Sequence, residues 1–496
     1  MMIEKENRQA DVCCKTAPVC SDAFAQMMGE IGFFEANPLV AVGVSGGPDS
    51  LALLRLVDTW ARAQGGRVIG LTVDHGLRAG SGPEAAWVSR ELGNHGIEHH
   101  ILVWQGKKPA SGIQDKARKA RRRLMLEWCR DNGVLHLCLG HHANDQVETH
   151  LMRMARCGQS EAQSESLNEG GQSGLAGMSL VREYAHARVV RPLLSVSKNR
   201  LEATLQSMGQ TWLNDPSNDK EQFERVRVRK VVSQMETVGG GVSGMVDSIR
   251  EFGDIRRDLE RLGARTLSAS SSLYPAGYAR FDPRKLSANG DSAAIYALSR
   301  LIMTVGGLRY PVSREKLGRV QQSLARWSSG DKRTIGGCLF CGTDDGVLIT
   351  REERNLPSPQ LVPGSSEVQK IHWDNRFMLS LCTEVAQTEA SLSLGKLGYR
   401  GWDRLVRVMP DLRRHPVPLS ARYALPALFH NDDIISVSHL TKRFPEIHPH
   451  YAGFEKATFS SPEPALGGTF SVALTGFCTI SGKENAMLVT DERNDA

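Results

Sequence analysis

Short apolar segments alternate with amphipathic segments along the first 160 residues. Four β-branched apolar runs predict strands, at 38–44, 68–73, 97–103 and 134–139. Between and after them, apolar residues spaced three and four apart predict helices, at 48–63, 84–94, 113–131 and 144–156. Strands separated by helices of this length favour right-handed crossovers and a parallel sheet covered on both faces. The predicted fold class is therefore α/β, with a doubly wound parallel sheet.

The pattern changes twice further along the chain. Helical spacing returns at about 242–262 and again at 293–305, and beyond Lys332 short strands and turns take over. The chain of 496 residues is too long for one typical core, so several domains are expected. The predicted regions are an N-terminal extension (1–25), the α/β domain (26–235), a helical or mixed middle domain (236–390), a small strand-rich domain (391–460) and a tail (461–496).

A glycine-containing loop follows the first predicted strand and opens a helix. It consists of Ser45, Gly46, Gly47, Pro48, Asp49 and Ser50. Adjacent glycines let backbone N–H groups approach an anion closely, and the helix dipole favours negative charge there. No Gly-Lys-Ser/Thr follows, so this is not a Walker A loop. The Asp49 carboxylate would repel phosphate, which favours Mg²⁺ bridging Asp49 to phosphate oxygens. A plain glycine turn capped by serines is the alternative.

Two further polar segments follow strands and should lie at the same edge of the sheet, because ligands bind beyond the carboxyl ends of parallel strands. They are 74–78 and 140–145. In the second segment, Asp145 starts a predicted helix, and Glu148 lies on the same helix face. A simple helix-start carboxylate is the alternative for Asp145, and a surface or supporting residue is the alternative for Glu148. A metal site formed by His141, His142 and Asp145 lacks the usual ligand spacing.

Charge and composition restrict the partners. The net charge of +6 permits a polyanionic ligand, and six of the eight residues from Lys116 to Arg123 are basic. A solvated helix face is the alternative explanation of this cluster. No apolar run is long enough to span a membrane and the cysteines form no dense framework, so a cytoplasmic location is expected. The pair Cys338 and Cys341 is predicted to lie on a strand and to serve packing. A zinc site, an iron–sulfur cluster or a redox disulfide is the alternative for this spacing.

These motifs, taken in order, resemble the tRNA(Ile)-lysidine synthetase family of PP-loop ATP pyrophosphatases. The resemblance rests on the loop 45–50 together with 74–78, 140–149, 174–178, 191–194, Trp212 and 215–218. A weaker resemblance continues through 398–437, which is similar to that family's C-terminal, tRNA-binding domain.

The family resemblance implies ATP, Mg²⁺, free L-lysine and a tRNA(Ile) with a CAU anticodon as ligands. The implied ATP-binding residues are Ser45, Gly46, Gly47, Pro48, Asp49, Ser50, Asp74 and His75, with Mg²⁺ on Asp49. The implied catalytic residues are Asp49, His141, Asp145 and Arg191. The implied lysine-binding residues are His142, Asp145 and Glu148. The implied tRNA contacts are Lys116, Arg118, Lys119, Arg121, Arg122, Arg225, Arg227 and Arg229. An ordinary salt bridge is the alternative for Arg191.

The sequence differs from the family pattern at several positions, and two other functions are possible. Asn144 replaces a frequent acidic residue, Arg122 a frequent tyrosine and Val226 a frequent asparagine, and 159–173 resembles an insertion. The rival enzyme is a PP-loop tRNA thiolase, which usually carries cysteine pairs near its catalytic domain. The other rival is an inactive RNA-binding homologue. The sequence does not decide between a monomer and a homodimer.

Overall fold

The computed structural model describes most of the chain in two compact units. The described residues are 17–77, 80–106, 108, 111–157, 172–213, 227–228, 231–232, 234, 241–324, 326–362, 369–381, 392–440 and 454–461. The unit boundary lies between Arg257 and Asp258. Most of the predicted 159–173 insertion, together with Arg225, Val226 and Arg229, falls outside the described residues.

A six-stranded sheet forms the centre of the first unit. Its strands are β1 (Leu39–Gly43), β2 (Arg67–Asp74), β3 (Glu98–Val103), β4 (His136–Leu139), β5 (Val181–Glu183) and β6 (Arg188–Val190). Their order across the sheet is β3-β2-β1-β4-β6-β5. All neighbouring pairs are parallel except β5 and β6, which form an antiparallel edge. The predicted parallel α/β sheet is confirmed. The strands β5 and β6 have three residues each, too few to show a period in the sequence.

Helices cover both faces of this sheet. They are α1 (Ser21–Ile31), α2 (Pro48–Ala63), α3 (Ser81–Asn94), α4 (Ile113–Asp131), α5 (Ala143–Cys157), α6 (Gln172–Leu175) and α7 (Lys198–Ser207). Side chains alternate along β1, so Val40 and Val42 pack in one core with α1, α2, α3 and α7, while Ala41 packs in the other with α4. We refer to these sides of the sheet as the α2 face and the α4 face.

The second unit combines helices with three antiparallel sheets. Its helices are α8 (Gly241–Ser270, which starts in the first unit), α9 (Pro283–Ser287), α10 (Asp291–Gly306), α11 (Arg314–Leu324), α12 (Gly398–Val408) and α13 (Leu419–Arg422). One sheet has the order β7-β8-β11-β10-β9 and consists of β7 (Ser271–Tyr274), β8 (Tyr278–Phe281), β9 (Lys332–Ile335), β10 (Cys338–Thr343) and β11 (Gly346–Arg351). The hairpin of β7 and β8 lies in a region whose sequence suggested mainly helices.

The remaining strands form two small sheets in the second unit. They are β12 (Gln360–Leu361), β13 (Gln369–Trp373), β14 (Phe377–Leu381), β15 (Leu392–Lys396), β16 (Pro426–His430), β17 (Asp433–Val437) and β18 (Phe454–Phe459). Their orders are β12-β15-β16-β17 and β13-β14-β18.

The cysteine pair on β10 serves packing, as its sequence setting predicts. Cys338 is fully buried in the core of the second unit, whereas Cys341 is partly exposed. Residues three apart on a strand point to opposite faces, so the two thiols cannot bind one metal ion together. Burial raises the pKa of the Cys338 thiol to about 12, which keeps it protonated and unreactive.

Candidate active site

The geometry of the loop between β1 and α2 would allow it to bind an anion. The Ser50 hydroxyl accepts a hydrogen bond from the Ser45 amide at 3.1 Å and donates one to the Gly47 carbonyl at 3.0 Å. Gly46 has a φ of +83°, and a Cβ there would lie 2.8 Å from a methyl carbon of Leu213, so only glycine fits. Pro48 takes the first helical position, as expected. The first-turn amides of α2 have no acceptor within the helix and can bind phosphate oxygens.

Two carboxylates and an imidazole meet at the starts of α2 and α5. His142 Nε2 lies 3.5 Å from Asp49 Oδ2 and 3.6 Å from Asp145 Oδ2, and the His142 amide donates to that same Asp145 oxygen at 3.1 Å. Burial opposes the charge of His142, but the carboxylates, Asp145 first, outweigh it and raise its pKa. Asp49 Oδ1 is buried and accepts no hydrogen bond. This arrangement can hold a cation and exchange a proton.

Close backbone packing lets these two helices approach each other. Gly140, between β4 and α5, lies so near α2 that a Cβ would come within 2.9 Å of the Asp49 carbonyl oxygen. A larger residue would push the two helix starts apart. The glycine therefore fixes the distance between the phosphate loop and the segment that carries His142.

Asp74 and His75 end β2 at the same edge of the sheet. Asp74 Oδ1 accepts the Gly76 amide at 2.8 Å, which closes the turn after the strand. Burial first, and then the charge of Arg121, lowers the pKa of His75 to about 4, so its ring is neutral at pH 7. His75 Nδ1 is buried and without a hydrogen-bond partner. The ring packs edge-on against Trp104 at 5.8 Å and leaves that nitrogen available to a ligand.

Arg191 directly follows β6 and is 8 % exposed. Its Nη1 donates to the Ser179 carbonyl at 2.7 Å, and its Nε has no partner. Burial is the largest effect that lowers its pKa, to about 10; the positive charges of Arg182, Arg122 and Arg118 add to that effect. Within the described part of the chain it forms no ion pair, so the salt-bridge alternative is wrong there. Its free Nε can donate a hydrogen bond to an anionic ligand.

Comparison with known proteins places the chain in a family. Residues 19–236 match the family model described as a PP-loop domain. A tRNA(Ile)-lysidine synthase of Brucella anthropi is 36% identical over 368 residues, which cover 71% of this chain and 76% of that protein. The chain belongs to the tRNA(Ile)-lysidine synthase family. Proteins of the same name from Orientia tsutsugamushi (32% identical, covering 71% and 78%) and Ruegeria pomeroyi (29%, covering 81% and 89%) also match.

In this tRNA(Ile)-lysidine synthase family member, α5 supports the site with residues that the sequence did not single out. Gln146 Nε2 donates to the Met178 carbonyl at 3.0 Å, and its Oε1 accepts the Met178 amide at 2.5 Å. His150 Nδ1 lies 2.9 Å from the Leu175 carbonyl. These bonds hold the segment that follows α6 and leads to the Ser179 carbonyl contacted by Arg191. Only the position of the 174–178 motif in the family pattern hinted at this role.

Glu148 and Asn144 are both buried on α5. Glu148 is 3 % exposed, so its alternative as a surface residue is wrong, and its charge contributes to the raised pKa of His142. Asn144 Oδ1 accepts the amide of Lys198, the first residue of α7, at 3.2 Å. The amide side chain in place of a frequent carboxylate therefore supports a helix start, while Asp145 reaches the cluster.

Most of the described residues predicted to contact tRNA lie on the basic helix, and they differ in their neighbours. The basic helix is confirmed as one helix, α4. Its Arg118 and Arg122, four residues apart, lie near Arg191, and Arg121 lies near His75. Lys119 pairs with Asp115 at 2.7 Å. Lys116 is exposed. Arg227 is also exposed, outside this helix.

The described residues offer no ready-made metal site. No three His, Cys, Asp or Glu side chains among them are placed to hold a metal ion by themselves. Asp49 Oδ1, which is buried and accepts no hydrogen bond, fits a metal cation that would take its other ligands from phosphate and water. His141, between β4 and α5, is partly exposed. In the described part of the chain no helix has the length and apolar character needed to cross a membrane.

Proposed function

We propose that this protein is a tRNA(Ile)-lysidine synthetase. It joins free L-lysine to C2 of the wobble cytidine in a tRNA(Ile) with a CAU anticodon, and it converts ATP to AMP and pyrophosphate. The observation that carries the proposal is the meeting, at the starts of α2 and α5, of an anion-binding loop with the cluster of Asp49, His142 and Asp145. Family membership supports the choice of substrates.

The first step is attack of the cytidine C2 oxygen on the α-phosphate of ATP. The Ser45 hydroxyl and the first amides of α2 hold the departing pyrophosphate. Ser50 keeps the loop in shape through its bonds to Ser45 and Gly47. Asp49 Oδ1 would hold Mg²⁺, which when bound neutralises charge that builds up on the phosphate oxygens. The low pKa of His75 keeps its ring uncharged. The ring can therefore accept a hydrogen bond from the nucleotide or donate one to it.

The second step requires a deprotonated lysine amine. The ε-ammonium arrives as a cation, and the buried carboxylates of Asp145 and Glu148 can hold it. A nearby base, His141 or His142, accepts its proton before the amine attacks C2 and AMP leaves. Burial of this cluster keeps water away from the activated cytidine.

One assay tests the whole reaction. The protein is incubated with ATP, labelled lysine and a tRNA(Ile) transcript with a CAU anticodon. We expect label in the tRNA together with stoichiometric AMP and pyrophosphate. Label that stays out of the RNA under conditions where the protein binds it would refute the proposal and favour an inactive RNA-binding homologue. We expect the protein to act in the cytoplasm, where these substrates would be available to it.

Asp49→Asn tests the cation-binding role. The amide cannot replace the carboxylate, so AMP formation should fall by at least about a hundredfold, while tRNA affinity stays within twofold of wild type. Asp58→Asn is the matched control on the same helix, because Asp58 pairs with Arg62 at 2.8 Å and should keep full activity. AMP formation that persists in Asp49→Asn would remove Asp49 from this role.

No observation favours the rival thiolase. Two cysteines of the described α/β sheet region, Cys129 and Cys138, are fully buried on opposite faces of the sheet. Burial raises the pKa of both thiols to about 12. A sulfur carrier needs an accessible thiolate, so neither residue suits sulfur transfer.

A further inference from the structure

A short segment that follows α7 lies against the phosphate loop. Residues 210–213, which we call the strap, begin directly after Gly209, whose φ of +64° ends the helix. The Leu213 amide donates a hydrogen bond to the Gly46 carbonyl at 2.9 Å. The Leu213 side chain covers the same glycine, since a Cβ on Gly46 would lie 2.8 Å from Leu213 Cδ1. The strap therefore contacts the loop through both its backbone and a side chain.

The hydrogen bond from Leu213 determines which way the peptide between Gly46 and Gly47 points. A trans peptide plane holds its C=O and its N–H in opposite directions. Because the Gly46 carbonyl points to the strap, the Gly47 N–H points away from it and can donate to a phosphate oxygen. Glycines on both sides of this peptide let it rotate with little steric opposition. A rotated peptide would present its carbonyl oxygen instead, and that oxygen would repel phosphate.

Gln210 anchors the other end of the strap to α3. Its side chain is buried, its Nε2 donates to Glu91 Oε1 at 2.8 Å, and its Oε1 lies 3.1 Å from His95 Nε2. The Glu91 carboxylate can only accept, which fixes the orientation of the amide, so His95 donates through Nε2. A Cβ on Gly46 would also lie 3.1 Å from Val88 on α3. The strap and α3 thus both contact Gly46 and are bonded to each other.

We propose that the strap is a positioning element of the ATP site, which keeps the Gly47 N–H directed at the pyrophosphate part of the nucleotide. Leu213 and Gln210 are its positioning residues, and neither touches a reactant. The strap should affect the binding of the β- and γ-phosphates alone, because the loop that it supports holds the departing pyrophosphate. The identity of the nucleotide rests on the proposed function, whereas the contact of the strap with the loop does not.

Nucleotide binding by the full-length protein tests the strap without catalysis. Calorimetry with Mg²⁺ present compares α,β-methylene-ATP, which cannot be cleaved between the α- and β-phosphates, with AMP, which lacks the β- and γ-phosphates. Gln210→Glu sets a second carboxylate against Glu91 and should displace the strap. The affinity for the ATP analogue should then fall about tenfold, while the affinity for AMP stays within about twofold of wild type. The double variant Gln210→Glu with Glu91→Gln restores a donor between the two positions and should regain the affinity for the analogue.

Leu213→Pro tests the backbone bond directly, because proline has no amide hydrogen, and it repeats the measurement if Gln210→Glu fails to fold. It should weaken binding of the analogue at least about tenfold. Leu213→Met, which keeps the amide and a similar side-chain volume, should retain that affinity. Gln206→Glu is the matched control: it makes the same substitution at an exposed position of α7 and should bind both nucleotides normally.

Three results would overturn the positioning role of the strap. One is equal weakening of the analogue and of AMP, since a merely structural role affects both. The second is an unchanged affinity for the analogue in Gln210→Glu and Leu213→Pro, and the third is a double variant that binds as weakly as Gln210→Glu. A selective loss of affinity for the analogue in a protein that never incorporates lysine would retain the strap and reject the proposed function.

Discussion

Lowering the pH should destabilise the first unit through His99. Its Nε2 lies 2.8 Å from the Thr72 hydroxyl, which donates its own hydrogen to the Val44 carbonyl at 2.9 Å. Nε2 must therefore carry the proton, which leaves the buried Nδ1 unprotonated and without a partner. Burial, with a smaller effect from His100, lowers the pKa of His99 from 6.5 to about 4. Val44 directly precedes the phosphate loop, so this chain of bonds supports the loop.

The size of the effect follows from the two pKa values. A histidine that stays neutral in the folded protein takes up a proton in the unfolded chain below pH 6.5, so stability is lost as the pH falls from there toward 4. Between pH 7 and pH 5 this difference amounts to roughly 2 kcal/mol for His99. His99→Gln keeps a hydrogen-bond donor for Thr72 but cannot titrate. Between pH 7 and pH 5 its free energy of unfolding should therefore fall by roughly 2 kcal/mol less than that of wild type.

Urea unfolding followed by circular dichroism at pH 7 and pH 5 measures this difference. The comparison of wild type with His99→Gln removes the contribution of all other titrating groups, including His75, whose pKa is also about 4. The reasoning fails if both proteins lose the same free energy of unfolding between the two pH values. It also fails if the variant loses more than wild type.

Three other predictions follow from individual positions. Gly140→Ala should weaken ATP binding about tenfold, because its Cβ would lie 2.9 Å from the backbone of α2. The control Gly82→Ala, whose Cβ meets nothing within 4 Å, should bind ATP normally. Equal ATP affinities of the two variants would contradict the packing argument. Asn144→Ala should lower the free energy of unfolding by about 1 kcal/mol, whereas Asn144→Asp should keep it because a carboxylate also accepts a helix-start amide. In the native protein Cys338 should resist iodoacetamide while the exposed Cys20 reacts, as mass spectrometry of the labelled peptides can show.

The sequence predicts the α/β sheet well because each long element carries its own period. The helix predicted at 113–131 has those bounds in the structure, as does the helix at 48–63. The hairpin of β5 and β6 was missed because three-residue strands show no period. The hairpin of β7 and β8 was missed for a similar reason, since each of its strands has only four residues.

The candidate site was predictable in its residues and less so in its arrangement. Motifs indicate Asp49, His142 and Asp145, and the common edge of parallel strands brings them together. Sequence alone could not show that Asn144 supports the start of α7, because that contact joins residues 54 positions apart. It also could not single out Gln210, whose bonds to Glu91 and His95 join elements far apart in the chain.

Alternation along the strands distributes the predicted site residues over both faces of one sheet edge. On β2, Asp74 shares the α2 side with Thr72, while His75 lies on the α4 side near Arg121. Beyond β6, alternation likewise sends Arg191 to the α4 face. His75, predicted to bind ATP, and Arg191, predicted to be catalytic, thus lie on the face opposite to Asp74, so the predicted site extends over both faces of the sheet edge. The reacting atoms then need to meet only at the edge, where the starts of α2 and α5 converge.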